Sequence, residues 1–429
     1  MEDIAPALQT ICDGRIAYLR LSPEVPDFTN RQECKLEVFG RKTTVSIPFD
    51  RNNLKSVYYL LRHSVFSSGM DCLFAYNLKP LYTYLKWLRV RAERPSCRTV
   101  DLQVFSNFTG YGLQQAPENL AAAVNTFQSL QLNPSFLKLY SGLHEPLMYE
   151  VLPALEATGI ADINDKKVKH CYYEVEGQQN GRLRSAGRYA NSFLPHTMTE
   201  EVKRSMRARN GQHFVTADIK YCEIVVLQWL TKDRRLQAVI EGEEDVYRSI
   251  YRLVTDDVCD NDNKRRKCKL MALPIIYGCG AKSLSAILEL SQSVCQELLK
   301  RFNNLFPDSM GWLKEQEGLA EKGLVTDYFG RCRSFLGEAY KVRNFLVQSV
   351  AATVCLEKLV ALYRALPKEA SLCYSVHDEY GLACPPDAAP ETAQLVQKVL
   401  AAESAWCPGL RLTSHVRYGP DLGHLQGVT

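Results

Sequence analysis

Residues 264–285 read KRRKCKLMALPIIYGCGAKSLS, and the interpretation of the whole chain turns on them. A basic head, Lys264, Arg265, Arg266, Lys267 and Lys269, runs directly into an apolar segment that ends at Tyr277-Gly278. On a helix, Arg265, Lys269, Leu273 and Tyr277 recur at every fourth position and form one slowly drifting stripe. Two cations at one end and an aromatic ring followed by glycine at the other suit a nucleotide. The charges match a triphosphate, the apolar surface a base, and the glycine a place where another group approaches closely. A buried helix with a solvated basic start carries the same pattern, so acidic motifs elsewhere must decide.

The chain has 429 residues, room for two or three domains with full cores. Hydrophobic residues make up 46% and charged residues 23%, the composition of an ordinary soluble protein. A net charge of +4 is too small to argue for nucleic acid, so any polyanion site must come from local clustering. The 15 cysteines contain no Cys-x2-Cys pair, hence no zinc-ligand spacing, and read as core thiols of a reducing compartment. The opening MEDIAPALQTICDGR has neither the basic head nor the apolar run of a secretory signal. There is no run of about 18 apolar residues to span a bilayer. A cytoplasmic location without membrane contact is the expectation.

Short alternating strands at RIAYLRLS, CKLEVFG and TTVSIPF are followed by helical LKSVYYLLRH, strand-like MDCLFAYN and helical LKPLYTYLKWLRVRAE. Strands alternating with helices predict a small α/β layer over residues 1–145. EPLMYEVLPALEATGI predicts an amphipathic helix ending at Gly159, and HCYYEVEGQQNGRLRS a hairpin that delivers Arg182. The apolar strand HFVTAD ends on Asp218 beside a helix start, with Glu223 five residues on. Such an aspartate holds a cation or caps the following helix. A further helix is expected near Ser293 with a capping box, stopped by Pro307. The longest helical pattern covers residues 339–366, with Asn344 and Gln348 on one face. Finally, SLCYSVHDEYGLACP predicts a hairpin tipped by His377, Asp378 and Glu379, whose adjacent acids repel unless cations or protons relieve them.

Asp218-x4-Glu223, the stripe Arg265-x3-Lys269-x3-Leu273-x3-Tyr277-Gly278 and Val376-His377-Asp378-Glu379 together resemble the three signature motifs of family A DNA polymerases, in order and separation. Gly181-Arg182-Leu183 and Asn344-x3-Gln348 fall where members of that family contact the primer-template. The resemblance runs from about residue 145 to the C-terminus. It implies an α+β fold with a right-hand palm and fingers, an antiparallel palm sheet with helices, preceded by an α/β, RNase H-like remnant of a 3′–5′ exonuclease. The implied divisions are 1–145 for the remnant, 146–235 for the first part of the palm with little or no thumb, 236–338 for the fingers and 339–429 for the rest of the palm.

By the same resemblance, Asp218 and Asp378, with the carbonyl of Ile219, hold two Mg²⁺ ions, for which Mn²⁺ can substitute. Arg265 and Lys269 grip the triphosphate of an incoming deoxynucleotide, and Lys269 serves as general acid toward pyrophosphate. Tyr277 packs at the insertion site with Gly278 making room, and Leu273 contacts sugar and base. Glu223 excludes a 2′-hydroxyl, Tyr247 stands near a phosphate contact, and Glu379 supports the metal site. His377 meets the primer terminus, Arg182 and Gln348 read minor-groove acceptors of primed DNA, and Asn344 joins the primer-template contacts.

Departures from the family pattern carry their own expectations. Leu273 stands where an aromatic residue is usual, and Pro274 should kink the helix at a cost of about 3 kcal/mol, altering a hinge. In the front part, Ala17, Tyr18, Leu19 and Arg20 occupy the first acidic strand and Leu81 the place of a later aspartate. Tyr140 and His144 stand at the closing motif. Asp101 alone cannot assemble a metal pair, so this part should be catalytically dead and serve as a scaffold or a DNA-contacting platform. Only 20 residues separate Ile160 from Gly181, where relatives carry a helical thumb, which implies weak, salt-sensitive DNA binding and distributive synthesis, by an enzyme that fills short gaps or borrows a clamp from a replisome partner. Two rival readings are a single-subunit RNA polymerase and a non-catalytic replication scaffold. A P-loop at GCGAKS fails because Ala281 precedes Lys282 where glycine is required.

Overall fold

The computed structural model describes residues 4–22, 34–113, 115–130, 134–185, 187 and 192–428. Two sheets organise the chain. The first contains β1 (Ile16–Ser22), β2 (Cys34–Phe39), β3 (Thr44–Phe49), β4 (Cys72–Tyr76) and β5 (Arg98–Asp101), in the order β3-β2-β1-β4-β5. β1, β4 and β5 run parallel, while β2 and β3 extend the edge antiparallel. Helices Leu54–Arg62 and Lys79–Trp87 supply the connections that parallel strands need. β3 shows a half-buried period of two: Val45, Ile47 and Phe49 face the core while Thr44, Ser46 and Pro48 face water.

The second sheet gathers strands from distant parts of the sequence. β6 (Ile160–Asp162), β7 (Lys167–Lys169), β10 (Met206–Arg207), β11 (His213–Ile219), β14 (Ser371–Val376), β15 (Glu379–Cys384), β16 (Ser414–Asp421) and β17 (His424–Gly427) take part. The order is β14-β15-β11-β16-β10-β6-β7, with β17 on β16, and the pairings are antiparallel. A small ribbon of β8 (Tyr173–Glu174) and β9 (Arg184–Ser185) lies nearby, and β12 (Leu324–Thr326) pairs with β13 (Cys332–Ser334). Between residues 160 and 181 the chain forms β6, β7 and β8 with the turns joining them.

Helix Lys341–Ala365 runs through the interior and packs on helix Cys222–Thr231. Its length and hydropathy would suit a bilayer, but 83% of its most apolar window is buried inside the fold, which makes it a core helix. Helices Val246–Thr255, Asp262–Ile276, Ala281–Leu288, Gln292–Leu305 and Pro307–Ala320 form a separate helical layer. Ser291, not Ser293, caps Gln292–Leu305, accepting from the Val294 N–H, because its extended backbone frees the hydroxyl for the third amide. Pro307 ends that helix by opening the next one. Helix Asp262–Ile276 passes through Pro274 as a single element. The proline sits in the last turn, where its missing N–H leaves one carbonyl without its helical partner. All 15 cysteines are free thiols.

Two buried ionic nodes join the sheets. Lys79 Nζ meets Glu156 Oε1 at 2.5 Å, and the Tyr173 N–H donates to the same oxygen at 2.9 Å. The larger node is centred on Arg331, which is 1% exposed. Its Nε and Nη2 bind Glu176 at 2.8 and 2.6 Å, its Nη1 binds Asp327 at 2.5 Å, and its carbon centre lies 4.9 Å from the Phe108 ring. His144 Nε2 lies 2.9 Å from Glu176. Burial alone would raise the Glu176 pKa, but the charge and hydrogen bonds of Arg331, with His144, hold this carboxyl well below the usual range.

Replacing Arg331 by Met leaves two buried carboxylates without their cation and should cost about 3–5 kcal/mol in denaturant unfolding at pH 7. Because the folded-state pKa of Glu176 is depressed, this stabilisation is complete above the unfolded value near 4.3 and fades as pH falls below it. The gap in stability between wild type and Arg331→Met should therefore narrow from pH 7 to pH 3. A gap that stays constant or widens contradicts the assignment.

Candidate active site

Antiparallel register brings the two aspartates together. Asp218 pairs with Glu379 across β11 and β15, and the Ile219 N–H donates to the Asp378 carbonyl at 3.0 Å. The turn between β14 and β15 is only His377-Asp378, with His377 at φ +54°. Tyr173 clamps the approach to this turn, accepting from the Ser375 N–H at 2.9 Å and donating to the Ser375 carbonyl at 2.8 Å.

Asp218, Ile219, Glu223, Asp378, His377, Arg182, Tyr247, Arg265, Lys269 and Leu273 all line one cleft of about 840 Å³. Burial, then the neighbouring Asp378 and Glu379, push the Asp218 carboxyl up to about 6. Asp378 is raised too, by burial first and with a contribution from Glu223. Lys269 opposes both shifts, so its ammonium faces the acid pair across the cleft. Under-compensated carboxylates beside a strand end and open space form an oxygen donor set that fits a hard divalent cation with water or phosphate completing its shell. Among the described residues no cluster of three or more His, Cys, Asp or Glu side chains is placed to hold a metal. Glu379 sits beside Asp218, with the Tyr374 hydroxyl donating to it at 2.8 Å.

Arg265 is held on the other wall. Its Nη2 lies 3.0 Å from Asp245, and its guanidinium is 5.5 Å from the Tyr247 ring centre. Asp245 also caps helix Val246–Thr255 and accepts from the Tyr221 hydroxyl. Sequence reasoning passed over Asp245 and Tyr221, although an aspartate just before a helical run is a readable capping signal.

Glu223 ties the middle of the site together. Its Oε1 accepts from Arg182 Nη2 at 2.7 Å and Gln348 Nε2 at 2.9 Å, and Gln348 in turn accepts from Asn180 Nδ2 at 2.8 Å. Tyr277 ends the helical stripe beside this network. Its buried hydroxyl lies against Glu223 and Gln348, and burial, then Glu223, keep it protonated. Asn344 stands apart, in a second hollow of about 440 Å³ that Tyr277 also lines. Gly278 is needed for its φ of +85°; a Cβ there would meet only ordinary contacts at 3.5–3.6 Å, so within the chain no close approach requires it. His377 lies between the cleft and an adjoining hollow near Arg182, and burial lowers its pKa.

In the front sheet the expected remnant residues are structural. Leu81 is buried, and Arg20 donates to Glu37 at 2.7 Å. Asp101 caps helix Leu102–Thr109, with the Tyr140 hydroxyl accepting from its N–H at 3.0 Å. His144 belongs to the Arg331 node, for which no sequence signal exists.

An acid pair at the strand ends of an antiparallel sheet thus lies opposite a helix that carries Arg265 and Lys269. The family model for DNA polymerase family A matches residues 147–424, and the chain belongs to that family. It is 27% identical over 269 residues to the thermostable DNA polymerase I of Thermus filiformis, covering 59% of this chain and 32% of that protein. It is 28% identical over 303 residues to DNA polymerase I of Treponema pallidum, covering 65% and 30%. The chain thus spans about a third of the length of these curated relatives. A solved structure, the POL domain of Pol1 from M. smegmatis in complex with DNA primer-template and dNTP, superposes with a TM-score of 0.72. It covers 98% of both chains at 14% identity, a likeness of fold. The α+β palm-and-fingers expectation agrees with both findings.

Gly181 precedes Arg182 at φ +78°, and a Cβ there would lie 2.3 Å from Arg331 Nη2. Gly181→Ala should lower stability by about 1–3 kcal/mol and displace Arg182 from Glu223. Denaturant titration checks the first effect and a crystal structure the second; an unchanged midpoint would show that the segment relaxes freely.

Proposed function

We propose that this chain catalyses template-directed DNA synthesis, adding deoxynucleotides to a primer 3′ end with release of pyrophosphate. The observation that carries the reading is the convergence of Asp218 and Asp378 in one cleft opposite Lys269 and Arg265. Asp218, Asp378 and the carbonyl of Ile219 are the groups that would hold two Mg²⁺ ions. When bound, these lower the pKa of the primer hydroxyl and stabilise charge on the phosphates.

The chain's own residues do the rest. Arg265 exchanges Asp245 for the triphosphate, while Tyr247 keeps the guanidinium plane in place. Lys269, without an ion-pair partner among the described residues, delivers a proton to the leaving pyrophosphate. Leu273 and Tyr277 form the apolar wall against sugar and base. Glu223, fixed by Arg182 and Gln348, closes the space a 2′-hydroxyl would need, which selects deoxynucleotides. Arg182 and Gln348 read the primer-template minor groove, Asn344 joins the primer-template contacts, His377 meets the primer terminus, and Glu379, whose charge raises the Asp218 carboxyl, supports the metal site. Residues 1–145 act as a scaffold without proofreading, 146–235 and 339–429 as palm, and 236–338 as fingers.

Asp378→Ala should reduce primer extension with Mg²⁺ by at least about 10³-fold, roughly 4 kcal/mol, while DNA binding persists. A variant that extends normally would leave the scaffold reading. The parallel assay with ribonucleotides separates DNA from RNA synthesis.

With β6–β8 where relatives insert helices, few phosphates are held, and synthesis is distributive unless a partner supplies a clamp. In the presence of a trap for free enzyme, products should extend by only a few nucleotides per encounter. Long products from the pure protein overturn this part of the reading.

A further inference from the structure

The cleft is not the only cavity that reaches Asp218. On the same face of the sheet, a hollow of about 290 Å³ is lined by Lys203, Thr216, Asp218, Glu379, His415 and Arg417. Register explains the grouping. Thr216 pairs with Arg417, and Asp218 pairs with both His415 and Glu379, and directly paired residues project to one side. Asp218 and His415 line both cavities, so the hollow continues the cleft. It leads away from helix Asp262–Ile276, whose Arg265 and Lys269 line the cleft alone.

Two features mark this hollow as built to receive a ligand. Thr216 is 4% exposed, yet its Oγ1 is buried with no hydrogen-bond partner. A buried hydroxyl without a partner is costly unless something supplies one. Arg417, directly opposite, is exposed and makes no ion pair among the described residues. Lys203 adds a second cation from helix Glu200–Ser205, shared only with the exposed Glu200 at 3.0 Å. A guanidinium, an ammonium and a free hydroxyl around one space form a receptor for a phosphate group. Asp218 and Glu379 close the other end, where metal ions held by Asp218 would offset their charge.

We infer that Arg417, Thr216 and Lys203 bind a backbone phosphodiester of the strand being extended, just behind its 3′ end. This rests on the polymerase reading for the identity of the strand. Nucleotide and pyrophosphate share the phosphate chemistry, but they belong on the Arg265–Lys269 side of Asp218. A growing strand leaves in the opposite direction, which is where the hollow lies. Phosphate contacts on the sheet face also substitute for those a thumb makes elsewhere.

The test measures binding of a fluorescein-labelled primer-template duplex, without nucleotide, across a salt series. Arg417→Ala should weaken binding about tenfold and reduce the slope of log K against log[salt] by about 0.7–0.9, one phosphate's share. Thr216→Val should weaken binding without changing the slope, and Arg417→Lys should restore the slope. KM for deoxynucleotide and inhibition by inorganic pyrophosphate should stay within twofold of wild type. Thermal melting confirms that each variant is folded. Unchanged DNA affinity and slope in Arg417→Ala overturn the inference, as does a shift confined to KM or pyrophosphate inhibition. If the wild type extends no primer, the polymerase reading falls, while the phosphate site is still judged by the binding data alone.

Discussion

The site depends on one hydrogen bond and the register around it. The Ile219 amide donates to the Asp378 carbonyl, locking the end of β11 against the two-residue turn between β14 and β15. With that pairing, Asp218 and Asp378 share a cleft although 159 intervening residues separate them in the chain. A slip of one residue would send Asp218 to the opposite face and scatter the acid pair. Gathering carboxylates in one cleft is unfavourable by itself, and partial burial together with Asp378 and Glu379 raises the Asp218 carboxyl. Folding energy elsewhere has to hold the pair in place.

Much of that support comes from the front half. Lys79 reaches Glu156 beside Tyr173, and Tyr173 brackets Ser375, two residues before His377. Arg331 draws Glu176, Asp327, His144 and Phe108 into one node and presses against Gly181, next to Arg182. A buried ion pair is rarely a large net stabiliser, but it penalises every arrangement in which a partner is missing. These nodes therefore act on alignment. They tie the front sheet physically to the site.

The free site is also pre-wired. Glu223 joins Arg182 and Gln348, and Asp245 holds Arg265 against Tyr247. Glu223 and Arg265 thus each have partners that orient them and that a ligand must displace or join. At Thr216 the buried Oγ1 has no hydrogen-bond partner among the described residues, and Arg417, which lines the same hollow, makes no ion pair there.

The helical stripe, the strand ending on Asp218 and the hairpin tipped by Asp378 were legible because local periodicity and turn length encode them. The same holds for the long helix and the first three strands. Their spacing also sufficed to suggest the family. Other features were invisible: Ser291 rather than Ser293 as a cap, the unbroken helix at Pro274, and Gly278 serving its own dihedral. Each depends on where a boundary falls by one or two residues, which composition does not resolve.

The amino-acid order by itself determined which residue types stand at the motif positions, and with them the chemistry on offer: two acids, two cations and an aromatic stop. Only the tertiary structure decided which of these meet. Register set Thr216 opposite Arg417, and packing buried Arg331 between Glu176 and Asp327. Contacts between residues over a hundred positions apart have no local periodicity to announce them, because their energy is realised only when the whole core closes.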